Sequence, residues 1–288
     1  MSDVVERSVA SVARALQDAL GDTTPRQANE IIAALVDVPR YWPVMNATAQ
    51  LDDATCDAAF EAVHQLQLGA PFAYAVARGT FRHLTLRVDK RVLIPRPETE
   101  LLIDEVLRVT DGGRGVAIDI GTGSGAIALA LASEGQFDRV IGVDVSPDAL
   151  EVARGNAELV AKELHAPVEF RLGSLLEPVR DVQASLIVSN PPYIAYDEES
   201  DLPASVRDWE PALALFSADD GMALTTTIVR DAAPQLIAGG VLALEVDTRR
   251  AERVADAVTA DGRYDGVTIQ TDFTGRDRFV VARRRKDA

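Results

Sequence analysis

The chain has 288 residues, 47% hydrophobic and 26% charged, which suits one large domain or a small one joined to a medium one and argues against long disordered tracts. Twenty-nine Lys and Arg against 45 Asp and Glu give a formal net charge of -16, which disfavours phosphate backbones and anionic membranes as partners. The single cysteine, Cys56, excludes an internal disulfide, and no Cys/His group has zinc spacing, so no metal site is expected.

The opening Met-Ser-Asp-Val-Val-Glu-Arg lacks a basic region followed by an apolar core, and no apolar run approaches the roughly 18 residues of a membrane span, so a cytoplasmic protein is expected. From Val4 to about Gln67 apolar residues recur at helical spacing, as Val5, Val9, Val12, Leu16 and Leu20, then Ile31, Ile32 and Leu35. Thr23, Thr24 and Pro25 resemble a helix cap followed by proline in the first turn, and Asp52 or Asp53 is placed to cap a later helix. Between Thr80 and Leu93 the pattern changes to alternation, which predicts a β-hairpin with its turn at Asp89-Lys90. The resulting division is a helical region over 1–75, a hairpin linker over 76–95 and a larger domain over 96–288.

After Pro97, strand-like runs at 115–120, 139–143, 168–172, 185–188 and 241–246 alternate with amphipathic segments. That order predicts an α/β fold with a doubly wound, mostly parallel sheet covered by helices. The last two runs, 267–271 and 278–282, are joined too closely for a crossover helix and are expected to be antiparallel. The basic run Arg283 to Lys286 reads as a solvated tail. His64, His83 and His165 lie on unrelated elements and are assigned no catalysis, and Trp42 and Trp209 read as packing residues.

Chemistry enters at Ala117 to Ile127, an apolar strand running into Gly121-Thr122-Gly123-Ser124-Gly125 and then a helix. Glycines there allow a tight turn and a close approach of backbone to ligand. Asp144 closes the following strand about 20 residues on, where an acid grips ribose hydroxyls. The loop by itself accommodates NAD or S-adenosylmethionine. The methyl donor is slightly favoured, because it has no pyrophosphate and no basic residue occurs between Gly121 and Glu134.

A second buried run, Ala184 to Val188, ends in Ser189-Asn190-Pro191-Pro192-Tyr193. Residues preceding proline are pushed toward extended backbone, so Asn190 and Pro191 are held in fixed directions at the carboxyl end of a strand. That edge is where the glycine loop also opens. A rigid set of acceptors suits a planar NH2 group, its two N–H bonds aimed at the Asn190 side-chain oxygen and a backbone carbonyl, with Tyr193 against its flat face. The bland alternative for each motif is a tight turn, and their coincidence on one sheet edge counts against it.

With these residues the sequence resembles the class I S-adenosylmethionine-dependent methyltransferases with an Asn-Pro-Pro-Tyr motif, and within them the peptide chain release factor N5-glutamine methyltransferases. The most specific stretch is Ile94-Pro95-Arg96-Pro97-Glu98-Thr99-Glu100, joined by Glu210-Pro211, Ala214-Leu215, Asp220-Gly221, Gly275 and Arg278. The resemblance implies S-adenosyl-L-methionine as cofactor, with S-adenosyl-L-homocysteine as product, and Gly121, Thr122, Gly123, Ser124 and Gly125 cradling its methionine part. Asp144 then binds the ribose, Asn190 also borders the cofactor, and Asn190, Pro191, Pro192 and Tyr193 receive the glutamine amide, with Asn190, Pro191 and Tyr193 as the catalytic set. The implied partners are class I release factors, modified on the glutamine of their Gly-Gly-Gln loop, with no direct nucleic acid or membrane contact. Where the family often has Asp and an aromatic near the adenine, this chain has Ser174 and Leu175, which leaves Leu175 to cover the ring. Thr80 and Asp247 also depart from the family's usual Glu and Gly. A glutamine methyltransferase of a ribosomal protein and an adenine N6-methyltransferase are the neighbouring readings; the charge and the Ile-Pro-Arg-Pro-Glu-Thr-Glu run count against the second.

Overall fold

A computed structural model describes residues 7–21 and 25–287. Val5, Thr23 and Thr24, read above as part of the first helix and the cap of the second, lie outside the described residues. Among those described, the chain divides into two compact units, one running to Arg78 and taking in Ala204–Trp209, the other made of Gly79–Pro203 and the residues from Glu210 onward.

The first unit is helical: α1 (Val9–Leu20), α2 (Pro25–Val36), α3 (Trp42–Met45), α4 (Asp53–Gln67) and α5 (Phe72–Ala75). Val9, Val12 and Leu16 on α1, Ile31 and Ile32 on α2, and Ala59, Ala62 and Val63 on α4 bury the stripes that their three- and four-residue spacing predicts. Asp52 caps α4 by accepting the Thr55 N–H at 2.8 Å, which satisfies one of the otherwise orphaned donors of the first turn.

Strands β1 (Arg78–Phe81) and β2 (Leu84–Arg87) form a two-stranded sheet. Its turn is Arg82-His83, not the expected Asp89-Lys90, and the cause is long-range. Arg82 adopts a left-handed φ of 56° and is held there by a two-pronged bond to Glu134, at 2.9 and 2.6 Å, and by Asp104 at 2.8 Å. Asp89 instead makes a separate turn, accepting the Arg91 N–H at 3.0 Å.

The second unit continues with α6 (Pro97–Val109), β3 (Val116–Ile120), α7 (Ala126–Glu134), β4 (Arg139–Asp144), α8 (Pro147–Leu159), β5 (Val168–Leu172) and β6 (Ala184–Ser189). The short helix α9 (Ala204–Arg207) groups with the first unit. Then follow α10 (Ala212–Leu215), α11 (Ala223–Ala232), β7 (Leu236–Glu245), α12 (Ala251–Asp261), β8 (Tyr264–Thr271) and β9 (Asp277–Arg284). The described strands assemble a seven-stranded sheet in the order β5-β4-β3-β6-β7-β9-β8. The pairs from β5 to β7 are parallel, and those joining β9 to β7 and to β8 are antiparallel.

Alternation along each strand feeds two cores. Ala117, Val140, Leu186 and Val241 face one, with α6 and α7; Ile118, Ile141, Ile187 and Leu242 face the other, with α11 and α12. Covering both faces makes the strands read as nearly continuous apolar runs. Strand order reverses between β3 and β6, so the segments that follow these two strands leave the sheet at one edge and open a crevice there, the usual ligand position in such folds.

The basic C-terminal run departs from the solvated-tail expectation. Arg283 and Arg284 belong to β9, and their guanidinium groups donate to the carbonyls of Val109, Gly239 and Leu236. Half of the run is thus part of a strand paired on both sides, with β7 and with β8. Among the described residues no helix is long and apolar enough to cross a membrane.

Candidate active site

The glycine loop leaves β3 with φ of 72° at Gly121, 54° at Gly123 and 83° at Gly125, values that L side chains adopt at a cost. A Cβ at Gly121 or Gly123 would meet nothing within 4 Å, whereas one at Gly125 would press on Ala153 and Leu129 at 3.3 Å. The first two glycines therefore leave room toward open space, and the third lets α7 pack. The N–H groups of Gly121 and Thr122 donate to the Val143 carbonyl at 2.8 and 3.0 Å, which pins the loop to the end of β4.

Asp119 holds the loop from behind. Its Oδ2 accepts the Thr122 hydroxyl at 2.6 Å and the Ala128 N–H at 3.2 Å. The carboxyl is fully buried, Oδ1 has no partner among the described residues, and burial pushes its pKa to about 7. At the end of β4, Asp144 accepts the Gly123 N–H on Oδ2 and the Ser146 N–H on Oδ1, each at 2.9 Å. Burial raises its pKa, while the backbone donors oppose the rise. Both carboxylate oxygens keep lone pairs for further donors, as ribose hydroxyls require.

These elements border a cavity of about 330 Å3, a size within the range of small-molecule sites. Gly121, Gly123, Asp144, Leu175, Asn190 and Pro192 meet on its wall, so the two motifs read separately from sequence share one space. Thr122, Ser124, Gly125, Pro191 and Tyr193 do not line it. Thr122 is turned toward Asp119, Ser124 is buried with its carbonyl accepting from Asn156 Nδ2 at 2.9 Å, and Pro191 is buried. Leu175 takes a left-handed φ of 49° and, with Val92, Leu93, Leu213 and Leu224, supplies apolar wall. Arg91, the one cation on that wall among the described residues, is already engaged by Asp89 and Glu151. A pyrophosphate would find no free positive charge, whereas a nucleoside carrying a sulfonium needs none.

The Asn190 end of the cavity is built from side chains far apart in sequence. Ser189 Oγ donates to the Ile120 carbonyl at 2.7 Å, tying the end of β6 to the end of β3. Asn190 Nδ2 donates to Thr99 Oγ1 at 3.2 Å, and Thr99 Oγ1 donates to Glu245 Oε2 at 2.7 Å. Thr99 and Glu245 are both buried, and burial drives the Glu245 carboxyl to about 7. Burial first, then the charge of Glu245, raises the Tyr193 phenol above its ordinary value.

Behind the Asn-Pro-Pro-Tyr run, Gly221 packs so closely that a Cβ there would lie 2.1 Å from the Tyr193 carbonyl oxygen. The buried Arg250 donates to the Asp220 carbonyl at 2.6 Å and to Glu198 at 2.9 Å, and Glu198 also accepts the Ala195 N–H at 3.0 Å. This clamp fixes the segment on both sides. Nearby, Arg96 donates to Glu210 Oε1 at 2.6 Å. Asp119, Thr99, Glu245 and Arg250 carry no role in the sequence reading. The one available signal for Glu245 was a carboxylate closing an apolar strand, the same position that Asp144 and Asn190 occupy on theirs.

Comparison with known proteins points the same way. A family model described as "Methyltransferase small domain" matches residues 97–204. The chain is 40% identical over 289 residues to a release factor glutamine methyltransferase from Mycolicibacterium smegmatis, covering 96% of this chain and 97% of that protein. It is 36% identical to one from Streptomyces coelicolor, covering 96% of each. A solved methyltransferase from Pyrococcus furiosus superposes with a TM-score of 0.52 over 70% of this chain and 88% of that one; at 19% identity this likeness concerns the fold.

Proposed function

The chain belongs to the release factor glutamine methyltransferase family, and from that premise we propose that it transfers a methyl group from S-adenosylmethionine to the side-chain nitrogen (N5) of the glutamine in the Gly-Gly-Gln loop of class I peptide chain release factors. The observation that carries this reading is the orientation of Asn190. Its amide nitrogen is occupied by Thr99, which leaves Oδ1 as an acceptor on a wall shared with Asp144.

The cavity fits the methyl donor by two features: open space in front of Gly121 and Gly123, and a carboxylate at Asp144 with lone pairs to spare. When bound, S-adenosylmethionine supplies an electrophilic sulfonium methyl. The backbone of Gly121 to Gly125 would cradle its methionine part, Asp144 would accept the ribose hydroxyls, and Leu175 would cover the adenine. From the cavity wall Asn190 Oδ1 would accept one N–H of the glutamine amide, with Pro192 keeping the run rigid; the second acceptor at the Pro191 carbonyl and the flat face at Tyr193, which do not line the cavity, are assigned on the resemblance to the family. An amide nitrogen is a poor nucleophile because its lone pair is delocalised. Holding both hydrogens would aim that lone pair and stabilise the positive charge that grows on nitrogen. The proton is lost to water afterwards, so no strong base is needed.

The net charge of -16 favours a protein over a nucleic acid as acceptor. The helical first unit is assigned to recognition of the release factor, and the work is placed in the cytoplasm, where translation terminates. Incubation with labelled methyl donor and, in parallel, a release factor, ribosomal proteins or DNA tests the reading. Label is expected on the release factor glutamine; label on a ribosomal protein or on adenine instead overturns it.

A further inference from the structure

Asn190 is symmetric enough in shape that nothing in its own backbone decides which end of its carboxamide faces the cavity. The neighbours decide it. Thr99 sits in the first turn of α6, in the Arg96-Pro97-Glu98-Thr99 stretch, and Glu245 ends β7; both are buried against the end of β6. The single hydroxyl proton of Thr99 is given to Glu245 Oε2 at 2.7 Å, so Thr99 Oγ1 presents only lone pairs to Asn190. Only the NH2 end of Asn190 satisfies them, and it does so at 3.2 Å.

From this chain of donors we propose that Thr99, polarised by Glu245, is a positioning residue for methyl transfer: it locks the Asn190 carboxamide with Oδ1 toward the acceptor NH2 and keeps it from turning over. The inference rests on the functional reading above, in which Asn190 holds the acceptor. An overturned carboxamide would present N–H to N–H and repel the amide that it should orient. Thr99 and Glu245 act through Asn190 and need touch neither the cofactor nor the substrate. The device also explains why a threonine is useful inside a helix start that Pro97, Glu98 and Glu100 already favour.

The test compares Thr99→Val, which keeps the shape and removes the hydroxyl, with Thr99→Ser, which keeps the hydroxyl. In Thr99→Val, kcat should fall about 30- to 100-fold while KM for the release factor and cofactor Kd stay within about twofold, as expected for lost orientation of a transition-state contact. Thr99→Ser should recover all but about fivefold of kcat. In an Asn190→Ala background, Thr99→Val should cost nothing further, a coupling that a merely structural threonine would not show. Retained kcat in Thr99→Val, equal impairment of Thr99→Ser and Thr99→Val, or full additivity with Asn190→Ala each overturns the proposal. If Thr99→Val does not fold, Thr99→Ala against Thr99→Ser reads the same hydroxyl with the same outcomes. Full activity in Asn190→Ala alone would instead overturn the functional reading.

Discussion

The two ends of the cavity are made by different means. At the glycine loop, ligand space and hydrogen bonds come from backbone within Gly121–Asp144: positive φ at three glycines, N–H groups pinned to Val143, and Asp144 braced by the Gly123 N–H. At Asn190 the parts come from α6, β6 and β7 and from the segment before α11, joined by side chains separated by up to 146 positions. Under the proposed function, the difference teaches that a generic nucleoside would be bound by local chain geometry, while selection of an NH2 acceptor would need a tertiary arrangement of polar side chains.

If the ends are separable in this way, substitutions should sort by end. The largest effect belongs to Asn190→Ala, in which methyl transfer at saturating cofactor should drop about 1,000-fold, a loss typical of removing an oriented transition-state acceptor. Steady-state kinetics with a release factor checks it; a drop in apparent cofactor affinity with kcat preserved would put Asn190 at the wrong end. Asp144→Ala should weaken cofactor binding by about 2–3 kcal/mol, the worth of a charge-assisted hydrogen bond or two, with kcat much less changed once cofactor saturates. Unchanged binding by titration calorimetry would move the ribose site elsewhere.

Glycine substitutions sharpen the contrast. Gly221→Ala drives a Cβ to 2.1 Å from the Tyr193 carbonyl oxygen at a φ of 76°, and should destabilise the fold by about 2 kcal/mol while impairing acceptor binding. Gly123→Ala meets no protein atom, so it should cost about 1 kcal/mol in stability and act mainly on cofactor affinity. Denaturant melts with parallel calorimetry separate the two.

The last expectation concerns pH. Glu245 titrates near 7 in the fold against an ordinary value of 4.5, so between those values the native state holds a proton that the unfolded chain has released. Stability should therefore fall as pH rises through this window, by at most about 1.4 kcal/mol per pH unit for one such group. Asp119, also displaced to about 7 by burial, adds a slope of the same sign from the cofactor end. In Glu245→Gln the decline measured by melts across the window should become shallower; an unchanged slope would leave Asp119 as its sole source.

The same division explains what could be read from the chain beforehand. The parallel sheet, its antiparallel close, Asp52 as a cap and both motifs were legible because each is specified by residues near one another. The hairpin turn was not, since Arg82-His83 contains no turn-forming residue and is held by Glu134 and Asp104 on two other helices. Nor was the fate of Arg283 and Arg284, which depends on carbonyls of Val109, Gly239 and Leu236. Thr99 stood inside the most specific stretch, yet its pairing with Glu245 could not be read for the same reason: a threonine in a helix start and an acid at a strand end each look ordinary until the fold puts them 2.7 Å apart.

The most direct test of the division is calorimetric titration of S-adenosylmethionine into Asn190→Ala beside the unmodified protein. With Asn190 assigned to the acceptor end, the account predicts dissociation constants that agree within about twofold, although methyl transfer is nearly abolished. Collapse of cofactor binding in Asn190→Ala would contradict it.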